Sequence, residues 1–184
     1  MASMLHRESD GLFDCAASAN ARATLADLEF IAPCMVVKRK VLCIDLGGIA
    51  KGYAVDRAVM VLKAAGAAGG CVNAGGDLRV FGGITRRVHL RDPCDPMRLV
   101  PLIDLHQAAL ATSASYFSAD ALITPARRTV RRNAFDAGAS VSVRAPSCML
   151  ADALTKIVAL SGDALHPLLA LYDAEAIIVM GDTA

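Results

Sequence analysis

Two hydrophobic periods run through this chain, and the changes between them mark its elements. In residues 50–65, Val55, Ala58, Val59 and Leu62 recur at i, i+3, i+4 and i+7, while Asp56, Arg57 and Lys63 take other faces. That spacing predicts an amphipathic helix ended by Gly66. A second helix is predicted where Leu150, Ala153, Leu154, Ile157 and Val158 form one apolar face, with Pro146 before it and Ser147 at the N-cap position. Leu165, Leu168, Leu169 and Tyr172 predict a third. Elsewhere the pattern is short and strand-like. "VLCID" (41–45) reads as a buried strand reaching a turn, and "CVNAGGDLRVFGG" as two strands around a Gly75-Gly76 turn capped by Asn73 and Asp77. "RVHLRDP", "LVPLIDL" and "AALATS" follow as an antiparallel meander, "SVSVRA" (140–145) alternates as a half-buried strand, and "AIIVM" closes the set. Residues 17–29 read as a loop with an Ala-rich helical turn. Hairpins mixed with isolated helices predict an α+β fold: mixed, largely antiparallel sheet layers with packed helices, in a single domain over 1–184.

Composition narrows the function. With 55% hydrophobic residues and a formal charge of +1, the chain is an ordinary globular one whose charge gives no field to recruit nucleic acid. The pairs Arg86-Arg87, Arg127-Arg128 and Arg131-Arg132 lack interleaved aromatics and read as solvated turns. No apolar run approaches the roughly 18 residues of a membrane span. As written, the sequence places the protein in the cytoplasm; an upstream export segment would place it in the periplasm. Six cysteines without a C-x-x-C pair read as reduced apolar residues, and the four histidines as structural or exposed.

The candidate chemistry lies in "DLGGIAKGYAVD". It is not a P-loop, because Tyr53-Ala54 stand where Lys and Ser/Thr belong, and Gly47, Gly48 and Gly52 do not make G-x-G-x-x-G. Small residues, a helix N-terminus and Lys51 still suit a diphosphate. A tight strand-to-helix turn with an exposed lysine is the alternative.

Three segments in order, "DLGGIAKGYAVDRAVMVLKAAG", "VNAGGDLRVFG" and "SVSVRAPSCMLADALTKIVALSGD", resemble the ApbE family of FAD:protein FMN transferases, as do "ESDGLFD" and "ALATSAS". The resemblance implies an enzyme that binds FAD and Mg²⁺, breaks the FAD pyrophosphate and attaches FMN to a threonine of an acceptor flavoprotein. It implies FAD contacts at Leu12, Phe13, Asp14, Asp45 and Lys51. It places Mg²⁺ on the Gly48 carbonyl, Asp152 and Thr155, a set of oxygen donors that magnesium favours. Ser113 is read as a strand-end hydroxyl lining the flavin pocket.

Departures from the family pattern leave a second reading open, a non-catalytic flavin-binding or partner-binding remnant. The metal-binding threonine usually stands at i+4 from the aspartate, where this chain has Lys156; either Thr155 substitutes or the metal site is damaged. "ALITPARR" (121–128) has Ala121 and Thr124 at the family's His and Asp positions, and the stretch from Asp14 to "VLCID" is short. The usual N-terminal segment is also lacking.

Overall fold

The computed structural model describes residues 1–16, 23–92, 95, 97–114 and 139–180. Its centre is a five-stranded antiparallel sheet of β3 (Gly69–Ala74), β4 (Asp77–Gly82), β7 (Ala109–Ala114), β8 (Ser140–Ala145) and β9 (Glu175–Val179), in that order. Helices α2 (Ala50–Ala64) and α3 (Cys148–Ser161) cover one face, with the short helix α4 (Pro167–Leu171) beside β9. The hairpin of β5 (Thr85–Arg91) and β6 (Leu99–His106) packs on the other. α1 (Ala2–Glu8), a helix that the pattern of residues did not announce, packs by its buried Leu5 into the helix-side core.

Side-chain alternation along β4 explains this layering. Asp77, Arg79 and Phe81 face α2, whereas Leu78 and Val80 join Val88, Leu105 and Leu110 in a small core beneath the β5–β6 hairpin. The larger core lies between the sheet and α3, where Val141, Val143, Leu154, Ile157 and Val158 are fully buried. Both α2 and α3 form as the 3.6-residue period predicts. Ser147 caps α3 by accepting the Leu150 N–H at 3.3 Å, and Gly162 ends it in the left-handed conformation. The Gly75-Gly76 turn has the expected positive φ at both glycines, and Asn73 accepts the Gly76 N–H at 2.9 Å.

Several expectations need correction. Residues 41–45 form no strand: they are an extended segment with Val41 89% exposed, pinned where the Asp45 N–H donates to the Cys15 carbonyl at 2.7 Å. An apolar run makes a strand only beside a partner edge, and among the described residues none stands there. Of the stretch read as loop, residues 17–22 lie outside the described residues, and residues 28 and 29 open strand β1 (Leu28–Ala32), paired with β2 (Met35–Lys38) in a separate hairpin. The meander is interrupted, because β4 pairs with β7 and leaves β5–β6 as an excursion. Leu165 is exposed and precedes α4 instead of lying within it. Asp56 does not keep to an outer face of α2. It is buried, holds Arg79 at 2.6 Å, and accepts the Cys148 and Met149 N–H groups at 3.0 and 2.9 Å. "ALITPARR" lies outside the described residues.

Candidate active site

The site forms where the N-terminal turn of α2 crosses α3. The crossing is close because Gly52 has no side chain: a Cβ there would lie 2.2 Å from the Cys148 carbonyl oxygen. The third glycine of "GGIAKG" therefore serves helix packing. At the same crossing the Gly52 N–H donates to Asp152 Oδ2 at 3.2 Å, so a carboxylate of α3 satisfies one of the free amides at the start of α2. No side chain caps the α2 N-terminus from its own N-cap residue, Ile49.

Asp152 and Thr155 are fully buried, and the groups that stand around them are lysines. Lys51 Nζ pairs with Asp77 Oδ2 and lies 4.0 Å from Asp152 Oδ1. Lys156 Nζ lies 3.4 Å from Asp152 Oδ1, 2.5 Å from Ser113 Oγ and 3.2 Å from Thr155 Oγ1. The Thr155 hydroxyl donates to the Asp152 carbonyl at 2.7 Å, so Ser113 donates to it at 2.8 Å while accepting from Lys156. Gly48 joins the group through contact, since a Cβ on it would meet Lys156 Cγ at 3.3 Å and Cε at 3.4 Å.

Electrostatics follow from this crowding. Burial pushes Lys51 down, but the hydrogen bond to Asp77 and the charge of Asp152 outweigh it, leaving Lys51 above the ordinary lysine value. Burial raises the Asp77 carboxyl, an effect that Lys51 opposes and Asp152 reinforces. Lys156 is pushed down by burial, with Asp152 pulling the other way.

The structure thus brings Gly48, Lys51, Asp152 and Thr155 together, and adds Asp77, Ser113 and Lys156. Asp45 stays on the surface, where Oδ1 accepts the Gly47 N–H at 2.8 Å and shapes the turn. Phe13 is buried in the core beneath Gly48, and the Asp14 side chain is wholly buried, accepting the Ala16 and Leu25 N–H groups at 2.8 and 3.0 Å. Leu12, partly buried, packs against the same core. Asp77 was expected to cap its hairpin and is instead the partner of Lys51. Its burial was hidden from the sequence, because the partner lies 26 residues away. Lys156 had one visible sign, its place four residues beyond Asp152 on the same helix face.

A magnesium ion does not fit this donor set as it stands. Asp152 Oδ2 is used by Gly52 and Oδ1 faces two ammonium groups. Thr155 spends its proton on its own helix, and its lone pairs face Ser113 and Lys156. What meets solvent is cationic: the Lys51 and Lys156 side chains are 50% and 18% exposed, that of Asp152 1%. Among the described residues no three His, Cys, Asp or Glu side chains converge on a metal position. A separate cavity of about 900 Å³, lined by Asn73, Leu78, Arg86, His89, Leu110 and Thr112, opens on the opposite face of the sheet, away from the lysines.

This fold is one that flavin transferases adopt. It is similar to the Pseudomonas stutzeri flavinyl transferase ApbE, at 24% identity and TM-score 0.75, over 98% of this chain and 66% of that one. The flavin transferase ApbE of Vibrio cholerae is similar at 22% identity and TM-score 0.77, over 99% and 69% of the two chains. The ApbE protein of Thermotoga maritima is similar at 24% and 0.72, over 99% and 74%. The chain thus spans about two thirds of the length of the Pseudomonas protein. No curated protein matches it significantly. The sequence profile of the ApbE family matches residues 14–178, and the chain belongs to that family. Among the described residues no helix is long and apolar enough to cross a membrane.

Proposed function

We propose that the protein is a flavin transferase that takes FAD as substrate and moves FMN to a threonine of an acceptor flavoprotein. The observation that carries this reading is the pair of ammonium groups, Lys51 and Lys156, beside the α2 N-terminus in a chain of the ApbE family. A diphosphate brings negative charge that such a cluster attracts, and the Gly47-Gly48 turn lets it approach backbone closely. In this reading Leu12, Asp45 and Lys51 face FAD, while Phe13 supports the Gly48 turn from beneath and Asp14 fixes the segment that follows it through the Ala16 and Leu25 amides.

The acceptor threonine oxygen bonds to the FMN phosphorus. The bond from that phosphorus to the bridging oxygen breaks, its electron pair leaves on AMP, and the hydroxyl proton passes to solvent. Positive charge near the bridging oxygen stabilises the charge that develops there. The magnesium expected at Gly48, Asp152 and Thr155 enters no step, because those donors are already engaged.

The test is incubation of the protein with FAD and an acceptor bearing a threonine flavinylation motif. AMP is measured by chromatography, and flavin by its fluorescence on the denatured acceptor. AMP and labelled acceptor in equal amounts are expected. FAD binding without AMP would mean the non-catalytic remnant, and no FAD binding would remove the flavin reading altogether.

A further inference from the structure

We infer that the ammonium of Lys156 occupies the position where a divalent metal was expected, so that this chain's flavin transfer carries a built-in cation and needs no magnesium. The inference rests on the flavin-transfer reading and deepens it. Its basis is convergence: two of the expected metal ligands, Asp152 and Thr155, reach the Lys156 ammonium, and the residue that carries the third, Gly48, packs against the Lys156 stem. The stem runs against Gly48, and the Nζ reaches Asp152 Oδ1 at 3.4 Å and Thr155 Oγ1 at 3.2 Å. Ser113, across on β7, completes the shell at 2.5 Å.

An ammonium has three protons and takes neighbours at hydrogen-bond length, which is the arrangement here. A magnesium ion needs lone pairs at about 2.1 Å in an octahedron. The hydroxyl order Lys156 to Ser113 to Thr155 to the Asp152 carbonyl, with the direct Lys156 contact to Thr155 at 3.2 Å, leaves Thr155 no spare lone pair. Two lysines against two buried carboxylates, Asp77 and Asp152, already make the cluster electrically balanced. A divalent ion added to it would raise the charge of a site whose anions are satisfied. The FAD pyrophosphate, arriving with negative charge, meets the half-exposed Lys51 first, with the charge of Lys156 behind it in place of a metal ion.

The experiment uses the full chain and Mn²⁺ as the probe, with free Mn²⁺ read by electron paramagnetic resonance, alongside AMP release from FAD in Mg²⁺ or EDTA. Wild type is expected to leave the Mn²⁺ signal free and to release AMP equally in both buffers. Lys156→Thr, which restores a hydroxyl at i+4, is expected to bind Mn²⁺ at least about tenfold more tightly than wild type. AMP release by that variant becomes dependent on Mg²⁺. Lys156→Arg keeps the EDTA-insensitive release, and Lys156→Met loses it while retaining the wild-type melting curve. Mn²⁺ binding by wild type that Asp152→Asn abolishes, or AMP release that EDTA stops, would overturn the inference. So would a Lys156→Thr variant that gains no Mn²⁺ site. Absence of AMP release under every condition would refute the flavin-transfer reading instead, and the Mn²⁺ comparison would still decide the role of Lys156.

Discussion

Helices α2 and α3 are tied together at two places, each by a buried carboxylate that caps the other helix, and the two ties differ in how fully they are satisfied. Asp56 on α2 accepts two amides from the start of α3 and binds Arg79 of β4, so its hydrogen bonds all hold structure together, helix to helix and helix to sheet. Asp152 on α3 accepts one amide from the start of α2 and turns its other oxygen to two lysines, one of them half exposed. The first arrangement is closed. The second is buried but reaches solvent through its cations, Lys51 half exposed and Lys156 less so, an arrangement in which the partners of the carboxylate are free to meet a ligand as well. Residues of one type in one helix pair thus serve structure in one case and, in the proposed reading, the site in the other.

The largest effect on this comparison should come from closing the gap that both ties depend on. Gly52→Ala places a methyl group against the Cys148 carbonyl, and is expected to cost about 3 kcal/mol of stability, read as a fall in the urea midpoint. Asp56→Ala leaves Arg79 and two amides without their partner, and should cost about 3 kcal/mol by the same measurement. Any AMP release by its folded fraction should remain at the wild-type rate, and a large fall in that rate would dissolve the distinction between the ties. Asp152→Asn keeps the oxygen that accepts from Gly52 but turns its NH2 group toward Lys51 and Lys156: AMP release should fall about a hundredfold, because the two lysines lose the carboxylate that positions them, and stability by about 2 kcal/mol. Ser147→Ala removes only the side-chain cap of α3, and should cost about 1 kcal/mol in the same urea titration.

The smallest effect belongs to a third capping carboxylate, at the surface. Asp27 is held below its ordinary value first by the Thr24 N–H and then by Lys40. A depressed folded value means that its stabilising contribution is present above its unfolded value and is lost as pH falls through the folded one. Between about pH 5 and pH 3, wild type should therefore lose slightly more in melting temperature than Asp27→Asn. Equal losses would show that this partly buried cap contributes nothing.

What could be read from the residues follows the range of the forces involved. Helices α2 and α3 and the Gly75-Gly76 hairpin depend on spacing within a few residues, and the pattern shows them. The misreading of 41–45 had a different cause, since a strand needs an edge to pair with and the apolar run carries no information about one. Asp56 and Asp77 were misplaced because their partners are 92 and 26 residues distant, which no local period reports. In the candidate site, the family motifs singled out Gly48, Lys51, Asp152 and Thr155, which the structure brings together. Lys156, whose ammonium lies against Asp152 and Thr155, appeared in the sequence only as a departure from the family's threonine at i+4.

Burial of Cys148 under the Gly52 contact gives the molecule an internal clock. The thiol is inaccessible, and burial with the neighbouring Asp77 raises its pKa, so it is protonated and unreactive while the helices are together. Cys34, Cys43 and Cys71 are exposed and should alkylate at once. A slow later phase of alkylation, assigned to Cys148 by peptide mass, would time how often the two helices part. Substrate that binds across their junction should lengthen that phase, and one that leaves it unchanged binds elsewhere.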